Sequence, residues 1–284
     1  MTTKADFRTT RRRRSARKSL PTILSYFLMT LAAFISAFPF FWLLSTSFKS
    51  GENVYALNLL PQHPSLQAYS DVLRLLNVGT MLKNSLIIAG GGVGLNIVLA
   101  SLCAYPLAKM DFYGKKLVNN ALLATMIIPA AAGLVVNYIT VQRFGLQGNF
   151  LGVILPNSVN VFTIMLLRQA YLAVPKEILE SARIDGASEL RIWASILLPM
   201  ILPSILTAII MDFINKWNMF LWPLLILEVD KYPVATGLKH ISNSFNYKFT
   251  NVAAGTVLAV VPVIVLFLIF QKRYVNNSIG AVKG

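Results

Sequence analysis

The sequence predicts an all-α integral membrane protein of six transmembrane helices, and three observations carry that prediction. Only 13% of the 284 residues are charged and 56% are hydrophobic, whereas a soluble domain carries about a quarter charged residues. Six long charge-free runs are each long enough to cross a hydrocarbon core about 30 Å thick, which takes about 20 residues of helix. Lys and Arg gather in alternate connections between those runs, the asymmetry that sets orientation in a bilayer.

The runs are 19–48, 84–108, 117–142, 144–167, 192–211 and 249–271. Helix is the form expected for each, because lipid offers no partner to an unpaired backbone N–H or C=O. The first run follows the basic segment Arg11 to Arg14 and Lys18, as a secretory leader would. It continues through Pro39, Phe40, Phe41 and Trp42, well past the 7–15 apolar residues of a leader, and is expected to be a retained helix. In the second run Gly90 and Gly94, four apart, predict a close helix-packing surface. The fifth is expected to continue through Asp212 and Lys216 towards Leu227. With the N-terminus in the cytoplasm, 18 Lys and Arg fall on the inner side and 7 on the outer, so both termini are predicted to be cytoplasmic. Two outer segments, 49–83 and 228–248, are long enough to carry function, the second with Asn243, Phe245 and Tyr247.

Several function classes are disfavoured. The net charge of +15 resembles a nucleic-acid signal, but eight basic residues lie in the first 18 and the others mostly flank apolar runs, not one exposed face. Cys103 is the single cysteine, and His63 and His240 belong to no ligand pattern, so neither a disulfide within the chain nor a metal site is expected. No nucleophile–base pair supports an enzyme. A Walker A sequence is absent, so ATP is not expected to bind this chain.

The segment 174–199 carries the functional signal. Pro175 starts a helix, Asp185-Gly186 stops it, and a second helix begins near Ala187. The expected shape is a knob on the inner face, with Ile178, Ala182 and either Leu179 or Ile184 on one apolar side that fits a groove of another protein. Glu177, Glu180, Asp185 and Glu189 offset its basic residues, unlike the Lys/Arg-rich face of a helix lying on headgroups.

Glu180-Ser181-Ala182, then three residues, Gly186, nine residues, and Ile196, Leu198 and Pro199 resemble the EAA loop of binding-protein-dependent ABC importers. Ser181 in place of Ala is the single departure. Phe38-Pro39-Phe40-Phe41-Trp42, Ala104-Tyr105-Pro106-Leu107-Ala108, Trp217-Asn218, Trp222-Pro223-Leu224 and Gly280 to Gly284 extend the resemblance along most of the chain, towards the sugar-type branch and the smaller maltose-transporter permease.

The resemblance implies a type I ABC importer permease fold in the cell inner membrane, with a basic cytoplasmic tail at 1–18, a permease domain at 19–284 and coupling helices at about 175–191. It implies a second homologous permease, two ATPase subunits that bind ATP and Mg, and an external solute-binding protein approached by the segment 228–248. In the family the EAA segment inserts into a cleft of the ATPase, which assigns docking to Glu180, Ser181, Ala182 and Gly186, with Arg183 and Asp185 as polar neighbours. The expected solute is a sugar or oligosaccharide, with glycerol phosphate or another polyol as the alternative inside the family.

Polar residues inside the spans are the candidates for a solute route, since facing lipid is costly for them. They are Asn137, Tyr138, Asn157, Asn160, Asp212, Asn215, Trp217 and Asn218, together with Lys216. A plainer role is also open to them: Asp212 and Lys216, four apart, neutralise each other, and the asparagines bond neighbouring helices. An ion-coupled carrier, in which intramembrane charges do the coupling, is the rival class; it has no use for the 174–199 knob.

Overall fold

The computed structural model describes residues 19–51, 53–54, 58–242 and 248–280. The basic tail at 1–18, the residues Asn243, Phe245 and Tyr247, and residues 281–284 lie outside them. The helices are α1 (Ser19–Ser47), α2 (Gln67–Leu75), α3 (Val78–Lys109), α4 (Lys115–Thr125), α5 (Leu134–Arg143), α6 (Phe150–Ile154) and α7 (Val161–Ala173). They continue as α8 (Lys176–Ile184), α9 (Glu189–Arg191), α10 (Leu198–Met200), α11 (Leu202–Trp217), α12 (Leu221–Ile226), α13 (Val234–Ser242) and α14 (Phe249–Gly280).

By length and composition, Thr22–Ser47 and Val78–Lys109 can each cross a bilayer as one helix. Two bent pairs reach the same length when each is taken as one span: Phe150–Asn157 with Val161–Ala173, bent by 49°, and Glu189–Met200 with Leu202–Trp217, bent by 79°. The third, fourth and fifth runs were expected as continuous helices and are broken instead. The third stops at Thr125, and Pro129 leads into a single 3-10 turn, Ala130–Gly133, before α5. The fourth breaks after Pro156, and the fifth, after a π-helical turn at Ile192–Leu197, breaks at Ile201 just before Leu202-Pro203. Proline accounts for the first two breaks, since it donates no backbone N–H and its ring clashes with the preceding turn.

α3 is the central helix, packed against α7 and α11, and its small residues allow close approach. Ala100 and Ala104 are fully buried against a cluster that includes Ile164, Leu167 and Tyr171 of α7, Ile192 and Leu197 of the π turn, and Ile205 of α11. α1 lies apart from this core along α14, where Trp42 meets Phe249 with ring centroids 5.7 Å apart. Its Phe27 and Phe34 are 62% and 70% exposed, which suits a helix surrounded by lipid.

The glycine expectation for α3 is corrected. A Cβ at Gly90 or Gly94 would meet nothing within 4 Å, whereas one at Gly92 would stand 2.5 Å from Lys216 Cε and 2.7 Å from its Cδ. The spacing rule found the right helix; which face meets α11 is a tertiary matter.

Gly152 in α6 is a tighter contact. Its Cβ would lie 2.3 Å from the Leu146 carbonyl oxygen and 3.0 Å from Ile226 Cγ2, and its own carbonyl accepts a 3.2 Å hydrogen bond from Trp222 Nε1. Backbone cannot step aside as a flexible side chain does. Gly152→Ala is therefore expected to destabilise the packing of α5, α6 and α12 by about 1–3 kcal/mol, read as a lower melting temperature of the purified protein in detergent.

Candidate functional site

The segment after α7 folds as its residues predict. Pro175 precedes α8 with φ −58°, Glu177 lies in the first turn and Arg183 in the last, each at the helix end whose dipole it offsets. The helix closes with bonds from Gly186 N to Arg183 O and from Ala187 N to Ala182 O, both 3.0 Å. Gly186 adopts φ +77°, in the left-handed region that favours glycine. Ser188 then caps α9, its Oγ accepting from Arg191 N. Two short helices thus meet at a sharp bend.

The apolar side of α8 does not face outward as expected. Leu179 and Ala182 are 3% and 7% exposed and belong to the α3–α7–α11 core, with Ile178 packed alongside, while Ile184 is 87% exposed. A nine-residue helix is too short to hold itself together in water, so its apolar stripe is used to anchor it. Ala182 therefore makes its close approach to this chain rather than outward. Glu180, Ser181, Arg183, Ile184, Asp185 and Gly186 form the outward surface. Ser181 fits the helix by donating from Oγ to Glu177 O at 2.9 Å.

A polar cluster missed in the sequence stands behind the bend. Glu189 accepts from Arg183 Nε at 2.8 Å through one carboxylate oxygen and from the Tyr105 hydroxyl of α3 through the other. The Glu189 bond holds the Arg183 guanidinium above its ordinary pKa. One turn deeper, Ser101 Oγ lies 2.6 Å from the Tyr171 hydroxyl and accepts from Trp193 Nε1 at 3.0 Å. Lys109 Nζ donates to the Val174 carbonyl just before α8.

Of the intramembrane polar residues, the fold gathers Asn157, Asn160, Asp212 and Asn215 around one cleft of about 540 Å³, with Lys216, Met126 and Phe162 also in its wall. The cleft opens where the α6–α7 pair bends. Non-helical backbone there needs its own partners: Asn160 N donates to Asn96 Oδ1 at 2.9 Å, and Asn160 Oδ1 caps α7 by accepting from Phe162 N at 2.9 Å. Asn96 completes its bonding by donating to Thr163 Oγ1 at 3.1 Å, and it is fully buried. Asn157 Nδ2 donates to Val153 O at 3.0 Å.

Asp212 and Lys216 neutralise each other, with Lys216 Nζ 2.7 Å from both carboxylate oxygens and the two residues 3% and 7% exposed. The pair is neutralised as the plainer role expects, and both residues also stand in the cleft wall. The remaining candidates lie elsewhere. Asn137 and Tyr138 sit on α5, Tyr138 OH accepting from Gln147 Nε2. Trp217 is buried, stacks on Phe213 with centroids 5.4 Å apart and donates to Ala259 O. Asn218 borders a different cleft, with Phe220 and Lys239. The signal for Asn96, a single amide inside an apolar run, was present in the sequence; nothing in it tied Tyr105 to Glu189, which are 84 residues apart.

The chain is similar along most of its length to known proteins of one kind. The arabinooligosaccharides transport system permease protein of Bacillus subtilis is 30% identical over 268 residues, covering 92% of this chain and 95% of the relative. The diacetylchitobiose uptake system permease protein of Streptomyces coelicolor is 30% identical over 260 residues, 89% of this chain and 86% of its own. The lactose transport system permease protein of Rhizobium radiobacter is 28% identical over 274 residues, 94% and 98%. Among solved structures, a chain in the crystal structure of a bacterial ABC transporter involved in the import of the acidic polysaccharide alginate superposes with TM-score 0.79 and 25% identity. That match covers 91% of this chain and 98% of the other, so the helical fold expected from the resemblance is the one observed. The family model described as binding-protein-dependent transport system inner membrane component matches residues 96–277, from the buried Asn96 through the bend and the cleft; this chain belongs to that family.

Proposed function

We propose that this chain is one permease subunit of an ATP-driven carbohydrate importer, a multi-pass protein of the cell inner membrane with six spans and cytoplasmic termini. It pairs with a second homologous permease to enclose the solute route. Two separate ATPase subunits hold ATP and Mg, and an external binding protein delivers the solute. The observation that carries this reading is the helix–bend–helix at Lys176–Ile184 and Glu189–Arg191, which presents Glu180, Ser181, Arg183, Ile184, Asp185 and Gly186 on an exposed surface. A saccharide is favoured because the relatives are permeases for arabinooligosaccharides, lactose and diacetylchitobiose, and because amides such as Asn157, Asn160 and Asn215 match sugar hydroxyls. The buried Asp212–Lys216 pair, already neutralised, gives an ion-coupled carrier no free charge at that position.

Ile184 supplies the test. Its side chain is 87% exposed and contributes nothing to the core, so Ile184→Asp is expected to leave the chain inserted and folded. In a partner cleft the same change desolvates a carboxylate, so the ATPase subunits are expected to be lost during co-purification and ATP-dependent saccharide uptake to fall at least about tenfold. Full retention of ATPase and uptake by this variant would overturn the docking surface. Labelling of residue 184 from the exterior of intact cells would overturn the orientation.

A further inference from the structure

We infer that Tyr105 is a positioning residue for coupling: through Glu189 it fastens the bend to α3, so that movement of the bend is delivered along α3 to Asn96 at the cleft. The inference rests on the transport function proposed above and deepens it by naming the linkage. α8 is anchored in the core by Leu179 and Ala182, but the turn that joins it to α9 is largely exposed, so without a further tie that turn would shift against the core. Glu189 prevents this by gripping two elements at once. One carboxylate oxygen holds Arg183 of α8 and the other holds the hydroxyl of Tyr105, whose ring is 4% exposed inside the core and meets the Tyr171 ring at 6.0 Å, edge to face.

A second grip follows at Ser101, joined to Tyr171 of α7 and to Trp193 in the π turn. The bend is therefore tied to α3 at Tyr105 and at Ser101, and Lys109 of α3 holds the Val174 carbonyl just before α8. Asn96 lies nine residues before Tyr105, about 13 Å along the same helix, and its bonds to Asn160 and Thr163 hold the backbone beside the bend that opens the cleft. α3 is one continuous helix from Val78 to Lys109, so Asn96 and Tyr105 share it, and Pro106 withholds only the N–H that would bond the Leu102 carbonyl. A push on Glu189 thus reaches the Asn160 backbone along one helix with a polar bond at each end.

The test uses the whole transporter, purified with its native partner subunits and binding protein and reconstituted in liposomes. Tyr105→Phe removes one hydroxyl and keeps the ring, so the core packing stays. Two readouts are taken: saccharide uptake per ATP hydrolysed, and amide hydrogen exchange over 183–189. Losing a hydrogen bond to a charged group is expected to raise exchange at the bend about tenfold and to lower uptake per ATP about tenfold, while hydrolysis itself stays within about twofold. Glu189→Gln is expected to act in the same direction, and the double variant is expected to be no worse than the more affected single one. Unchanged exchange at the bend would overturn the fastening. Faster exchange with an unchanged uptake-to-hydrolysis ratio, or a parallel fall of uptake and hydrolysis, would overturn the coupling role and leave Tyr105 merely structural. If the unaltered complex shows no ATP-driven saccharide uptake, the proposed function fails instead, and the exchange measurement still decides the fastening by itself.

Discussion

Lys216→Met is expected to destabilise the protein by about 3–5 kcal/mol, because it leaves the Asp212 carboxylate buried without its partner. The carboxylate is 3% exposed, and both its oxygens take their bonds from this one ammonium. Asp212→Asn should be costly in the same way, stranding the ammonium in a slot shaped for it by Gly92. Removing both charges is a different case. A buried ion pair replaced by apolar side chains of similar size is often neutral in stability, so Asp212→Leu with Lys216→Met is expected to recover most of the melting temperature lost by either single change. The pair of measurements separates two roles. If the charges serve only to neutralise each other, uptake returns with stability; if they contact solute in the cleft, stability returns and uptake does not.

How much of this was legible beforehand depends on the range of the interaction. The knob at 174–199 was readable because its determinants are local: Pro175 at one end, Asp185-Gly186 at the other, and a φ of +77° that the sequence announces with glycine. The Asp212–Lys216 pair was readable for the same reason, lying one turn apart on one helix. The choice between Leu179 and Ile184 was not, since both suit the apolar stripe and only the position of α3 and α11 decides which is buried. Nor were the breaks in the third, fourth and fifth runs. Pro129 and Pro156 were visible, but the residues around them are as apolar as the rest, and apolar length alone cannot tell a straight span from a broken one. The cleft forms at one such break, so the sequence offered its polar residues as a scattered set. Three-dimensional packing selected Asn157, Asn160, Asp212 and Asn215 and set Asn137, Tyr138, Trp217 and Asn218 elsewhere.

Gly186 gives the other large effect, and two substitutions at that position distinguish why glycine is there. Gly186→Pro fixes φ near −65° where the fold requires +77° and removes the N–H that donates to Arg183 O. It is expected to abolish ATP-dependent uptake in membrane vesicles while the chain still inserts, since the bend lies outside the apolar core of the spans. Gly186→Asn keeps the N–H and accepts the left-handed conformation better than other residues with a side chain. A Cβ at this position meets nothing within 4 Å in this chain, so for folding alone the asparagine variant should lose no more than about 1 kcal/mol. Its uptake then reports on the surroundings in the assembled transporter. Near-normal uptake means that the glycine serves the bend by its backbone freedom. Loss of uptake with a normal melting temperature means that the space beside Gly186 is filled by the ATPase, and that the outward surface from Glu180 to Gly186 is pressed against it closely enough to exclude a side chain.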